Sequence, residues 1–421
     1  MITVRRREQV IKMEHKLDLW FTPSGTPIRY SLQRNEGGEV RTGRGERKGD
    51  AFVVHHTVGG RTRMRSFPLT PNLRLASSME WLHLQTPQPG LQLEGQVIDE
   101  TEGQQQPFTL RVEKSAKDGS PGVYVIHESV GGVATQGEVD EKGLRRVELV
   151  GAGIVMSRSS AEEAVRLDEA VDIFSAAMFQ VEVRLPPRDA LDGLTLRFTA
   201  DRPIKISDFR GQRKSSVKGG VEVVTEAAKT PRRGYRLPIK GKKFQRYLSA
   251  TDYEDLEDQK LVSTSRRVVA DARDSWTAAK RINAFVHGHL EDKTLAHAFA
   301  SATEAFEQRA GDCTEHAVLF SALAKIAGVP TKLVTGLVYV GGARPAFGYH
   351  EWVEVWLGNR WHPMDPTFGQ DVADATHVKF SEGISDADGL QEAGLAAAAL
   401  IGDVDLEIAS WTVEGRTVAK P

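Results

Sequence analysis

Three residues in this 421-residue chain have types and spacings that could do covalent chemistry together. The first is Cys313, the only cysteine, which follows Gly311-Asp312 at the start of a strongly apolar stretch that reads as a helix. A helix N-terminus offers unpaired N–H groups and a partial positive charge, which stabilise a thiolate, the nucleophilic form of cysteine. A lone cysteine is equally well read as a small buried hydrophobe. The second is His350, in the alternating run Gly348-Tyr349-His350-Glu351-Trp352-Val353-Glu354-Val355-Trp356-Leu357, which Gly358-Asn359 ends as a two-residue hairpin turn. That turn sets Leu357 opposite Arg360, hence Trp352 opposite Asp365 and His350 opposite Thr367. His350 and Asp365, the third residue, are then diagonal neighbours on one face, where a carboxylate can fix the tautomer of an imidazole. A one-residue slip in register would separate them.

The elements that must hold these residues are legible around them. Ser275 is a candidate cap for a helix through Trp276, Ala279, Ile282, Phe285 and Val286, and a short helix is predicted over 301–309. The helix over 313–327 is apolar nearly all round and therefore buried, and Gly328 with Pro330 stops it. Strands are predicted at 332–340, 349–357 and 360–365. Upstream, residues 1 to about 155 read as antiparallel β-structure, with runs at 52–54, 122–126 and 145–150 between Gly-rich turns. A helix is expected over 160–170 and further alternating strands at 179–185 and 194–198. The predicted division is a β-rich domain over 1–157, a second small β-rich domain over 158–245 and a C-terminal domain over 246–421.

The set Gly311-Asp312-Cys313, His350-Glu351-Trp352 and Asp365-Pro366-Thr367 resembles the core of the transglutaminase-like superfamily. The connecting Ala327-Gly328-Val329-Pro330 and Val334-Thr335-Gly336 are similar to that family's as well. The resemblance covers about residues 263–370, a quarter of the chain. It implies an α+β fold: a papain-like core of helices packed on an antiparallel sheet, preceded by the β-rich N-terminal region. It implies a catalytic triad of Cys313 as nucleophile, His350 as general acid/base and Asp365 as orienting acid, acting on peptide or protein amides through a thioester. The family's microbial members favour hydrolysis; crosslinking of glutamine to lysine is the alternative, and a degenerate β-rich binding protein a third reading. Cofactors are expected to be none. No EF-hand-like loop is present, so activity is expected to be calcium-independent.

Neighbouring residues suggest rivals. Cys313, His316, His350 and Asp365 have ligand types acceptable to zinc, but the triad motif explains three of the four without a metal, and no metal site is expected. Glu315 follows the cysteine closely. Trp276 is read as a buried helix tryptophan rather than an oxyanion donor, His362 lies near Asp365, and His377 is expected as an exposed loop histidine, with a place in the lining of the substrate cleft as the alternative. The adjacent His55 and His56 point to opposite faces of a strand and are not read as a metal pair. The basic stretch 210–243 is read as solvated strand and linker.

Composition narrows the rest. Lys+Arg number 55 and Asp+Glu 57, a net charge of -2 that excludes a nucleic-acid binder acting by bulk charge. With 40% hydrophobic and 27% charged residues the chain is too apolar for disorder. A single cysteine excludes an intrachain disulfide, and no apolar run reaches the roughly 18 residues of a membrane span. Arg5, Arg6 and Arg7 are not followed by an apolar signal segment. The resemblance nevertheless suggests an envelope location, where the N-terminal β region could bind substrate or an envelope partner; the cytoplasm is the alternative.

Overall fold

In the computed structural model the described residues are 2–420 except 7–8, 37–38, 80–88, 114–121, 150–153, 165–177, 201–203, 205, 293–299, 343, 387–388 and 390–403. The chain divides into two compact units, Met1–Val4 with Lys12–Val171, and Arg5–Ile11 with Asp172–Pro421.

The N-terminal β-structure forms two sheets. Six strands from Ile2–Arg6 to Arg61–Pro68 lie side by side in chain order, and seven more run from Leu73–Leu75 to Ile154–Ser157. Ala51–Val58 alternates strictly between buried and half-buried residues, so His56 is inside and His55 is not. Phe52, Val54, Leu73, Leu75 and Ile98 form one core, and Val97, Phe108, Val112, Ile126 and Val139 a second. The helix expected over 160–170 is seen as Ala161–Ala164, and the remainder lies outside the described residues.

The second unit holds the motif residues. Its strands are β1 (Phe179–Gln180), β2 (Leu191–Thr199), β3 (Gln212–Val217), β4 (Gly220–Glu226), β5 (Thr331–Tyr339), β6 (Ala346–Trp356), β7 (Trp361–Met364), β8 (Val378–Gly383), β9 (Asp405–Val413) and β10 (Arg416–Ala419). Its helices are α1 (Gln259–Val269), α2 (Ser275–His289), α3 (Ala302–Gln308) and α4 (Cys313–Ile326). One antiparallel sheet has the order β1-β6-β5-β8, with β7 also on β6, and the other has the order β3-β4-β2-β9-β10. The pairing of β2 with β9 ties residues 191–199 to 405–413, so the segment expected as a small domain over 158–245 shares a sheet with the C-terminal segment. Leu194, Leu196, Phe198 and Val223 of one sheet enter the same core as Leu337, Tyr339, Phe347 and Val378 of the other. No compact-unit boundary falls at residue 245.

The alternating run 179–185 forms a strand only at Phe179–Gln180. Pro186 and Pro187 follow it, and proline cannot extend a ladder. Val181 and Leu185 are still buried, with the Val181 amide donating to the Pro345 carbonyl and the Leu185 amide to the Tyr339 hydroxyl.

Helix starts follow their capping chemistry. Asp274, rather than Ser275, caps α2, its carboxylate accepting from the Trp276 and Thr277 amides. Ser301 caps α3 and Asp312 caps α4, each in a reciprocal box with a glutamate three residues on. Helix α4 is buried along almost its whole length and lies against β5 and β6, with α1, α2 and α3 around it.

Candidate active site

The hairpin register read from Gly358-Asn359 is the observed one: Val353 pairs with Met364, Val355 with His362 and Trp356 with Trp361. The Leu357 amide donates to the Arg360 carbonyl at 3.1 Å, closing the turn. Strand β7 stops at Met364. Asp365 and Gln370 then exchange two backbone hydrogen bonds, at 2.9 and 2.8 Å, around a tight loop that begins with the Asp-Pro-Thr motif. That loop turns the Asp365 carboxylate toward β6. His350 Nε2 lies 2.7 Å from Asp365 Oδ2, with His350 6% exposed and Asp365 fully buried. Asp365 Oδ1 accepts the Thr367 and Phe368 amides at 2.8 and 3.1 Å. The His350 ring lies nearly parallel to those of Trp352 and Phe368, with centroids at 6.1 and 5.0 Å. Gly336, paired with His350 across the ladder, is required here, because a Cβ would come within 1.9 Å of the Val378 carbonyl oxygen and 2.8 Å of the Trp352 ring.

Cys313 opens α4 and remains half-buried. The helix it opens packs against β6, the strand that carries His350. Gly311 fixes the approach. Its φ is +155°, and a Cβ there would meet the Glu315 Cβ at 2.3 Å. Glu315 is fully buried, its two oxygens accepting the Ala300 amide at 3.0 Å and the Asp312 amide at 2.8 Å. Gly311→Ala is therefore expected to cost more than about 1 kcal/mol of stability, measurable as a lower urea midpoint at unchanged slope.

Electrostatics at the sulfur run against the expectation of a thiolate stabilised by the helix terminus. Burial pushes the Cys313 thiol well above its ordinary value, and the Asp312, Glu351 and Glu315 carboxyls push it further; the Glu351 amide works against them. The helix terminus is real, but its partial charge is outweighed by three acidic groups in a desolvated setting. Glu351, on the opposite face of β6 from His350, is itself pushed up to about 8 by burial and by the charges of Asp312 and Glu254. In the folded chain it keeps a proton that the unfolded chain has lost, so stability falls as pH rises from the ordinary glutamate range to about 8. Glu351→Gln is expected to flatten that fall, raising the thermal midpoint at pH 8 relative to wild type and leaving it little changed at pH 4.

His377 is where the structure departs most from the sequence reading. It is buried, not an exposed loop residue, and its Nε2 lies 3.0 Å from the same Asp365 Oδ2 that meets His350. Its Nδ1 lies 3.3 Å from Asp374 Oδ1. Burial alone would lower its pKa, but hydrogen bonds and charge from Asp365 and Asp374 outweigh that and raise it to about 9. Asp365 is likewise opposed by burial and yet held well below the usual carboxylate range by His350 and His377. The missed signal was strand β8: His377 immediately precedes it, and no strand was predicted there.

Of the other singled-out residues, Trp276 is buried, with its ring edge-on to His362 at 5.7 Å, as a core tryptophan. His316 Nδ1 lies 2.6 Å from the Asp312 carbonyl oxygen within α4. His350, Asp365 and His377 have ligand atoms within 4.8 Å of one another. Both histidine nitrogens are directed at one carboxylate oxygen, which is the geometry of shared protons rather than of three ligands around an ion. A groove of about 690 Å³ crosses this unit, lined among others by Trp352, Trp356, Trp361, Lys332, Lys379 and His377.

Comparison with known proteins follows the same residues. The family model of the transglutaminase-like superfamily matches residues 262–366. Kyphoscoliosis peptidase of Mus musculus is 24% identical over 220 residues, 48% of this chain and 32% of that protein. The chain thus spans about a third of the length of that curated relative. A solved structure of a proposed cysteine protease from Cytophaga hutchinsonii aligns with 14% identity and a TM-score of 0.33, covering 58% of this chain and 85% of that one. A proposed protease from Parabacteroides distasonis aligns with 9% identity and a TM-score of 0.21, covering 81% and 68%. The matched segment runs from α1 through the start of the Asp-Pro-Thr loop and includes Cys313, His350 and Asp365: this chain contains a transglutaminase-like superfamily domain.

Proposed function

We propose that the second unit is a cysteine hydrolase acting on peptide or protein amides, with Cys313 as nucleophile, His350 as general base and acid, and Asp365 as the group that orients His350. The observation that carries this reading is the buried 2.7 Å bond between His350 and Asp365, made from the strand against which the helix opened by Cys313 packs. Asp365 takes Nε2 and leaves Nδ1 as the nitrogen available to the thiol proton. Because acidic neighbours disfavour a resting thiolate, His350 removes the thiol proton as sulfur attacks the carbonyl carbon. The tetrahedral oxyanion is met by the Cys313 N–H at the start of α4. Collapse breaks the C–N bond, the leaving amine takes the proton from His350, and a thioester remains. Water then gives a proton to His350 and attacks the thioester; the C–S bond breaks and the sulfur regains its proton.

The test is incubation with a glutamine-rich protein, a fluorescent primary amine and a calcium chelator. Fragmentation without amine incorporation supports hydrolysis. Covalent labelling of the protein by the amine overturns it in favour of transamidation. If neither occurs, and Cys313 resists alkylation until the chain unfolds, the domain is not an enzyme.

A further inference from the structure

We propose that His377 is a positioning residue that clamps the Asp365 carboxylate and so sets the orientation of His350. The proposal rests on the reading of Cys313, His350 and Asp365 as the reacting set. The four side chains form one buried chain, His350–Asp365–His377–Asp374, with bonds of 2.7, 3.0 and 3.3 Å. Its far end is fixed: Asp374 accepts the Thr376 amide at 2.7 Å, the Thr376 hydroxyl at 2.6 Å and the Gln370 side-chain amide at 2.7 Å. Its near end is fixed by the two loop amides on Asp365 Oδ1.

The geometry assigns His377 two tasks. One is mechanical. Asp365 Oδ2 holds His350, and a second donor on the same oxygen leaves the carboxylate no freedom to turn about its own bond. The loop amides and the His377 N–H together allow one plane, and that plane faces the His350 ring. The other is electrostatic. A histidine placed between two carboxylates donates from both nitrogens and carries a positive charge. Its ring centre lies 5.8 Å from that of His350. That charge lies beside the Asp365 carboxylate that His350 also bonds, so removing it changes the field in which the thiol proton is taken up. Among the described residues, the titratable groups facing His377 are Asp365, Asp374 and His350. Lys379, two residues on, is taken up by Glu354 and Glu382.

The single thiol makes the test direct. The rate of Cys313 alkylation by iodoacetamide is measured by intact mass from pH 5.5 to 9.5 in wild type, His350→Ala, His377→Ala, His377→Gln and Asp374→Asn, with folding checked by circular dichroism. Loss of the fast phase in His350→Ala establishes the underlying reading. His377→Ala is then expected to react about tenfold more slowly at pH 7, with its pH limb moved to higher pH. His377→Gln keeps a donor but no charge, so it should recover part of the rate with the limb still displaced. Asp374→Asn should move both in the same direction by less, and it carries the test should His377→Ala not fold. Wild-type rate and profile in folded His377→Ala, or in Asp374→Asn if that variant carries the test, beside a defective His350→Ala, would overturn the clamp alone. A wild-type profile in His350→Ala would overturn the catalytic reading and the clamp with it.

Discussion

Cys313→Ala is expected to abolish peptide hydrolysis, and His350→Ala to lower it by about 10²–10⁴-fold. The two losses are not expected to add. Without the sulfur there is no thioester to form, and without the imidazole the thiol has no base. The double variant should therefore match Cys313→Ala. Asp365→Asn is the more informative change. Asp365 is fully buried and accepts four hydrogen bonds, two from amides and two from imidazoles. An asparagine keeps the shape but offers one acceptor oxygen and one NH2. At least one imidazole must then turn or change tautomer. The expected result is a kcat loss as large as that of His350→Ala, with substrate KM little changed, because the group acts through His350 and not on the substrate. A loss confined to KM would contradict that role.

The largest structural effect is expected at Lys325, in the last turn of α4. Its ammonium is paired with Glu254, and both side chains are fully buried. Lys325→Met leaves the Glu254 carboxylate without its counter-charge in a desolvated site, at a cost of about 3–5 kcal/mol. Among the described residues Glu254 Oε1 has no hydrogen-bond partner, so none of them takes over the charge at that oxygen. The carboxylate can shed that cost only by taking up a proton. The deficit of Lys325→Met should therefore be smallest near pH 4 and should grow as pH rises. The double variant Lys325→Met with Glu254→Gln removes both charges and is expected to recover much of the loss. Urea denaturation of the four species at pH 4 and pH 7.5 measures all of this. A pH-independent deficit, or strict additivity, would show that packing and not charge is at stake. The same helix presents Cys313 at its other end, so activity in Lys325→Met should fall with the folded fraction and not below it.

The sequence by itself determined what depends on local chemistry. Asp312 and Ser301 are good caps with glutamate three residues on, so the starts of α4 and α3 were readable, and Asp274 beside Ser275 shifted α2 by a single residue. Gly358-Asn359 forces a two-residue hairpin, and a hairpin of known loop length has one register. That register is enough by itself to bring His350 and Asp365 to one face. The alternation in 1–155 marked strands in the same way.

What only the tertiary structure decided was whatever depends on long-range neighbours. The charge around Cys313 is one case. Asp312 and Glu315 were visible beside it, but Glu351 arrives from a strand, and burial turns their sum against the thiolate. His377 is another. Its spacing from Asp365 is not that of any helix or hairpin, and only the loop closed by Asp365 and Gln370 and the start of β8 bring the two together. The sharing of one sheet by residues 191–226 and 405–419 is the third. Strand pairing across some 200 residues leaves no local trace, because each strand needs only its own alternation and the partner is chosen by the core it completes.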